Sequence, residues 1–450
     1  MKKQLKMAVL GLSVMVGMTL GYQTVLADVI YAPDPANNIT QVDKGNVLKE
    51  YKKKSLNVID NQTVKGNMDR KYNEHTLTPD SPSTVDNYQT TADSSAQTNL
   101  ATQFFLPDGF NVTGYQHGNF QNVTLDDQGN VYFIESNGSE TNLGVIVEYN
   151  LQKLQQLGVG KDTMALWRAF NYFNPYTNEG LAHNQDYENA FNEMKQPKLK
   201  IKALNAKLGV VSDKHDKRVI KLAIAKAEKK IKAIKQENSE LFKNEKIAAA
   251  AQISQQIDIG HGQTLSFNPQ NQHLYIVKDN TLTDLENQSE NNDVIEMNTD
   301  NLKPIREYNF KMFYGDSDNY QLHTLTFDKQ GNAYWCRKTG LGMMFFFGRL
   351  DKHDVQFQAA PSYLKSRGGS PNQGISYNAK NDRLYFVSDD ILTSIPTQEV
   401  RDGSISPSDI HYYGFTSKRE CESLSFDQDG YGYLLMLWPA ELVKSSTPLN

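Results

Sequence analysis

Five polar side chains recur at one position of a repeated pattern: Gln121, Gln263, His323, Gln373 and Glu422. Each stands two residues before the first apolar residue of a strand-like segment. Side chains so placed, with His261 and Glu420 beside them, could form a polar ring. Such a ring would bind a sugar or a cation through converging donors and acceptors, or hold water and join the repeats to one another. One His and one Glu among three amides suit a hard cation such as calcium better than zinc. The pattern assigns no metal site and no cofactor. Glycoside hydrolysis needs paired carboxyl groups, and the ring offers only Glu422 with Glu420 nearby. Glu135, Asp279 and Asp389 end second strands, where solvated carboxylates are common. The nucleophile-elbow, zincin, phosphate-loop and EF-hand patterns do not occur. His117 and His261 read as structural loop histidines, and no catalytic residue is assigned.

The elements that would position this ring are hairpins. QNVTLDDQGNVYFIES, QTLSFNPQNQHLYIVKD, HTLTFDKQGNAYWCRK, QGISYNAKNDRLYFVSDD and ESLSFDQDGYGYLLML share one pattern. Each is an alternating strand, an Asp or Asn, a turn and an aromatic-centred strand. Asp126, Asp328 and Asp427 open turns that carry Gly129, Gly331 and Gly430 three residues later. Tyr132, Tyr275, Tyr334, Tyr385 and Tyr433 mark the register at separations of 143, 59, 51 and 48 residues. Two further extended pieces per unit and a period near fifty residues predict an all-β chain, a β-propeller over 101–450. Five blades are expected, with six or a β-sandwich as alternatives.

The long first interval predicts an insertion over 151–256. Ile201, Leu204, Leu208 and Val211 recur at helical spacing, as do Ile220, Ile224, Ala227, Ile231, Ile234 and Leu241. Ser212-Asp213 separates the two runs, predicting a helical hairpin. Between Lys195 and Lys246 there are 16 basic and 6 acidic residues, a formal +10 in a chain of net charge −5. A basic hairpin on an acidic body favours anionic partners such as teichoic acids or lipid headgroups. Lys226, Lys229, Lys230, Lys232 and Lys235 are the candidate envelope contacts, and solubility is the other use of such lysines. Nucleic acid is not expected, because no recognition motif accompanies the charge. Tyr115, Trp167, Tyr172 and Tyr176 are aromatics outside the repeat register that could stack on sugars.

Residues 1–27 read as an export signal: Lys2, Lys3 and Lys6, an apolar run, then Val25-Leu26-Ala27. No transmembrane segment is expected once it is removed, and a secreted or loosely surface-associated protein follows. Residues 28–100 are polar and read as a disordered linker. Cys336 and Cys421 allow one disulfide or two buried thiols.

GVIVEYNLQKLQQLGVG, GHGQTLSFNPQNQHLYIV, ISYNAKNDRLYFVSDD and SLSFDQDGYGYLLM resemble exported proteins of lactic acid bacteria related to the helveticin J (class III bacteriocin) family. The likeness runs from about Phe104 to Leu437, with the helical insertion least matched. It implies a propeller, secretion from a Gram-positive bacterium and action on competitors' envelopes, and it carries over no active-site residue. The expectation is a secreted protein that binds a cell-envelope polymer or glycan. A polysaccharide-acting enzyme and a surface interaction protein without a small ligand are the alternatives.

Overall fold

The computed structural model describes residues 40–47, 56–61, 86–107, 118–137, 142–278, 292–312, 322–340, 342–353, 355–369 and 373–450. The expected signal segment lies outside these residues, as do Tyr115, His117 and Asp279. No helix among the described residues is long and apolar enough to cross a membrane.

The chain is mostly β, in five sheets built around the five hairpins. Sheet 1 begins Asn119–Leu125, Asn130–Ser136 and Leu143–Asn150, and closes with Gln252–Ile253. Sheet 2 is Ser266–Asn268, His273–Lys278, Asn292–Asn298 and Pro304–Lys311. Sheet 3 is Thr326–Phe327, Ala333–Thr339, Gly342–Leu350 and Val355–Leu364. Sheet 4 is Gly374–Asn378, Arg383–Ser388, Ile391–Pro396 and His411–Gly414. Sheet 5 is Glu420–Phe426, Tyr431–Leu437 and Glu441–Pro448, completed by Asn99–Phe105 and Asn87–Gln89 from the other end of the chain. Successive strands within each sheet run antiparallel.

One apolar layer fills each gap between successive sheets. Ile134 and Ile276 share the layer between sheets 1 and 2, and Tyr275 and Trp335 the next. Tyr334 with Phe386, then Tyr385 with Leu434, fill the third and fourth. The fifth, with Phe133 and Leu435, returns from sheet 5 to sheet 1 and takes in the insertion's helices. A strand buried on both faces must be apolar on both, which is why segments such as VYFIES and LYIVK are nearly continuous apolar runs. First strands of neighbouring sheets also bond directly: Leu125 N donates to Ser425 Oγ at 2.9 Å, and the Ser376 hydroxyl donates to Leu424 O.

The Asp-opened turns explain the tyrosine register. Asp328 Oδ1 accepts from Gln330 N and Asn332 N at 2.9 Å each, while Oδ2 accepts the Tyr334 hydroxyl at 3.0 Å. Asp126 repeats this with Gln128 N and Asn130 N at 2.8 Å and Tyr132 at 3.0 Å. Where Asn opens the turn, a second Asn serves: Asn271 Nδ2 donates to Tyr275 Oη at 2.8 Å and Asn381 Nδ2 to Tyr385 Oη at 3.1 Å. Gly331 sits at φ +77°, a conformation that glycine adopts without Cβ strain.

The polar stretch 28–100 is not linker throughout, a correction to the composition argument. Thr40–Asn46 adds a parallel strand to Pro304–Lys311, and Asn57–Ile59 adds one to Val355–Leu364. Edge strands are held by main-chain hydrogen bonds, so they form without the apolar content a core strand needs. Cys336 and Cys421 are both buried and are not joined by a disulfide.

Between the third and fourth strands of sheet 1 come helices α1 (Leu151–Gln156), α2 (Ala165–Tyr172), α3 (Asn178–Val210), α4 (Lys214–Glu237) and α5 (Ser239–Ala248). Asp213 Oδ1 caps α4 by accepting from Asp216 N at 2.9 Å. Helices α3 and α4 form the expected hairpin, but α3 starts well before the lysine-rich run. Its first half carries Tyr187, Ala190 and Met194 into the core layer between sheets 5 and 1.

Candidate functional site

Three of the five repeat positions, Gln263, Gln373 and Glu422, come together with Glu420, while His323 joins through its main-chain oxygen. Gln263 Nε2 donates to Gln373 O at 2.8 Å and to Glu422 Oε2 at 3.3 Å, joining sheets 2, 4 and 5. Gln373 Nε2 donates to Glu420 Oε1 at 3.2 Å, whose other oxygen accepts Trp438 Nε1 at 2.8 Å. Asn122 Nδ2 donates to Gln263 O at 2.8 Å, and Thr264 Oγ1 to His323 O at 2.6 Å. Gln121, Gln263, Gln373 and Glu422 are all buried. His261 adjoins Gly262, whose neighbourhood includes the Gln121 side chain.

Two of these positions share a local device. The register of sheet 1 shifts between Phe120 and Asn122, and that of sheet 5 between Cys421 and Ser423. Gln121 and Glu422 are therefore the extra residues of β-bulges, which turn a side chain away from the regular alternation. Burial, and next the Glu420 carboxyl, push Glu422 well above the usual carboxyl range, against the lowering effect of the Gln263 hydrogen bond. Glu422 and Glu420 are thus two carboxyl groups on one strand, with donors supplied by Gln263, Gln373 and Trp438. No group of three or more His, Cys, Asp or Glu side chains that could hold a metal occurs among the described residues.

Beyond this cluster the five first strands and their turns line a half-open cavity of about 160 Å³. Thr124, Ser266, Thr326, Ser376 and Ser425 line it, one from each sheet. The sequence signal is a Ser or Thr between the two apolar residues of every repeat, a position whose polarity strand alternation alone already explains.

The candidate lysines of the insertion lie elsewhere. Lys226, Lys229, Lys230, Lys232 and Lys235 are exposed on α4 and form no ion pair among the described residues. The apolar seam facing α3 includes buried Ala227 and Ile234. No residue from 198 to 226 is buried. The distal hairpin therefore projects from the sheets by ~20 Å, taking ~1.5 Å per helical residue. Val210, Val219 and Leu222 are exposed on this distal part. At the hairpin's base, α3, α4 and α5 enclose a groove of about 400 Å³. Tyr187, Phe191 and Phe242 line it with Lys198, Lys235, Lys243 and Lys246 and one carboxylate, Glu245, which accepts the Tyr187 hydroxyl at 3.2 Å. Lys198 Nζ sits 4.7 Å from the centre of the Phe191 ring.

The other aromatic candidates are partly used inside the fold. Tyr172 stacks on His183 with ring centres 3.6 Å apart, and Trp167 lies on α2. Tyr176 is exposed.

No family model matches the chain, and no curated protein is similar to it. Solved structures give distant likenesses. A luciferin-regenerating enzyme aligns with 42% of this chain and 61% of its own at 11% identity and a TM-score of 0.27. A glucose dehydrogenase aligns with 81% of this chain and 98% of its own at 8% identity and a TM-score of 0.29. A protein from Lactobacillus plantarum aligns with 34% of this chain and 44% of its own at 10% identity and a TM-score of 0.20. At these scores the likenesses assign neither a fold nor an activity.

Proposed function

We propose that the five sheets are the blades of a β-propeller and that the protein is a secreted binder of a cell-envelope polymer or glycan. The return of the apolar layers from sheet 5 to sheet 1 supports the propeller. The binding reading rests on one observation: a projecting hairpin whose lysines face solvent without carboxylate partners among the described residues. A groove lined by aromatic rings and lysines adds contact for the apolar part of an anionic ligand. Teichoic acids and anionic lipid headgroups are the matching partners, and antibacterial action on competitors' envelopes is what the helveticin J resemblance adds. The test is binding to purified Gram-positive cell walls across a salt series. Attraction carried by exposed charge weakens as salt shortens the screening length to ~8 Å and below. Salt-insensitive binding would remove the hairpin from the account.

A second reading keeps the polysaccharide-acting enzyme, favoured by Glu420 and Glu422 standing on one strand, with burial raising the Glu422 carboxyl. Glycoside hydrolysis uses a pair of carboxyl groups, one of them raised so that it can serve as the acid. New reducing ends released from wall polysaccharide, and lost in Glu422→Gln, would bring it to first place.

A further inference from the structure

A cleft of about 620 Å³ lies between sheets 3 and 4, away from both the polar cluster and the hairpin. Its floor is one face of sheet 3. Phe347 pairs with Gln358 and Arg349 with Gln356 across two adjacent strands. The period of two places these four side chains on the same side. Gln356 and Gln358 are exposed while Phe357 between them is buried, as that alternation requires. Phe347 is half-buried and stacks on Tyr334, with ring centres 6.3 Å apart and planes 25° from parallel. Gly348 sits where a Cβ would lie 1.8 Å from Gln356 O, so only glycine lets the two strands meet here.

The opposite wall is preorganised. Arg401, on the short helix α6 (Thr397–Asp402), bonds to the Tyr334 hydroxyl, to Asp328 Oδ2 at 3.4 Å and to Gln398 Oε1 at 2.6 Å. The one carboxylate on the wall, Asp382, accepts the Tyr377 hydroxyl at 2.7 Å. The cations on the other side are uncommitted. Lys329 and Arg349 are exposed and make no ion pair among the described residues.

We infer that this cleft binds an acidic saccharide unit. Primary amides on neighbouring strands suit vicinal hydroxyls, since each offers a donor and an acceptor. A half-buried aromatic ring suits the apolar face of a pyranose. Lys329 and Arg349 suit a carboxylate or phosphate, which Arg takes with paired N–H donors. The volume falls in the ~300–1,000 Å³ range of small-ligand sites. This inference goes beyond the envelope-binding reading and does not depend on the hairpin.

The test is calorimetric titration of the whole chain with digalacturonate, with glucose 1-phosphate and with neutral cellobiose. Binding of at least one acidic sugar is expected, stronger than that of cellobiose. The double variant K329A/R349A should weaken it by about tenfold or more, the scale of losing a charge-assisted contact. Q356A/Q358A should weaken it as well, and K226E/K229E/K230E on the hairpin should leave it unchanged. Whichever acidic sugar binds tells carboxylate from phosphate. All four cleft residues in the variants are exposed, so their unfolding midpoints should match the parent. Failure of both acidic sugars to bind, binding equal to that of cellobiose, or binding unchanged in K329A/R349A would overturn the inference. None of those outcomes bears on wall binding by the hairpin.

Discussion

Gln263 and Glu422 belong to sheets that are not neighbours in the cyclic order, yet Gln263 Nε2 lies 3.3 Å from Glu422 Oε2. The same nitrogen donates to Gln373 O at 2.8 Å, so one amide ties three sheets. Gln263→Ala removes the donor from a buried carboxyl and a main-chain carbonyl, and should cost about 1–3 kcal/mol. Glu422→Gln should cost less, because the amide oxygen can still accept the Gln263 hydrogen bond. Urea unfolding of both variants checks this, and equal losses would contradict it.

Several carboxyl groups hold their protons more tightly in the folded chain. Burial, then Asp126 and Asp300, push Glu148 up to about 7, and burial pushes Asp293 up to about 6. A raised folded pKa means that the native state binds the extra proton. The stability it brings is present below the ordinary carboxyl pKa of ~4 and is lost as pH rises through the folded value. Asp409 runs the other way: hydrogen bonds from Ser406 lower it, and its contribution is lost only at more acid pH. The unfolding temperature should therefore fall between about pH 5 and about pH 8. Glu148→Gln should flatten the part near neutrality, and a temperature that rises across this window would refute the assignment.

Asp328 serves two main-chain amides, Asn332, Tyr334 and Arg401 at once. Asp328→Ala should cost roughly 3 kcal/mol or more, since it strands several buried donors and a cation. Tyr334→Phe removes one hydroxyl and should cost about 1 kcal/mol. Denaturant midpoints of the two variants, measured side by side, test the ranking.

Much of the architecture was legible because it rests on repetition. The Asp-to-Tyr spacing is the turn itself, in which Asp328 reaches both the turn amides and the Tyr334 hydroxyl. The α3–α4 seam was legible from Ile224, Ala227, Ile231 and Ile234, whose spacing is that of a helix face. The bulges at Gln121 and Glu422 were not, because a one-residue slip leaves no mark in composition. Thr40–Asn46 and Asn57–Ile59 were missed because main-chain pairing, not apolar content, holds them. The cleft floor was hidden for another reason. Phe347, Arg349, Gln356 and Gln358 look unrelated along the chain until cross-strand register makes them neighbours.

The central claim is that the hairpin lysines carry envelope binding. Its most direct test is sedimentation of the protein with purified cell walls, before and after removal of teichoic acid. The parent chain should be compared with K226E/K229E/K230E/K232E/K235E. The account predicts that the parent binds intact walls, loses most binding when teichoic acid is removed, and that the variant fails to bind either preparation. A variant that binds as well as the parent would contradict it.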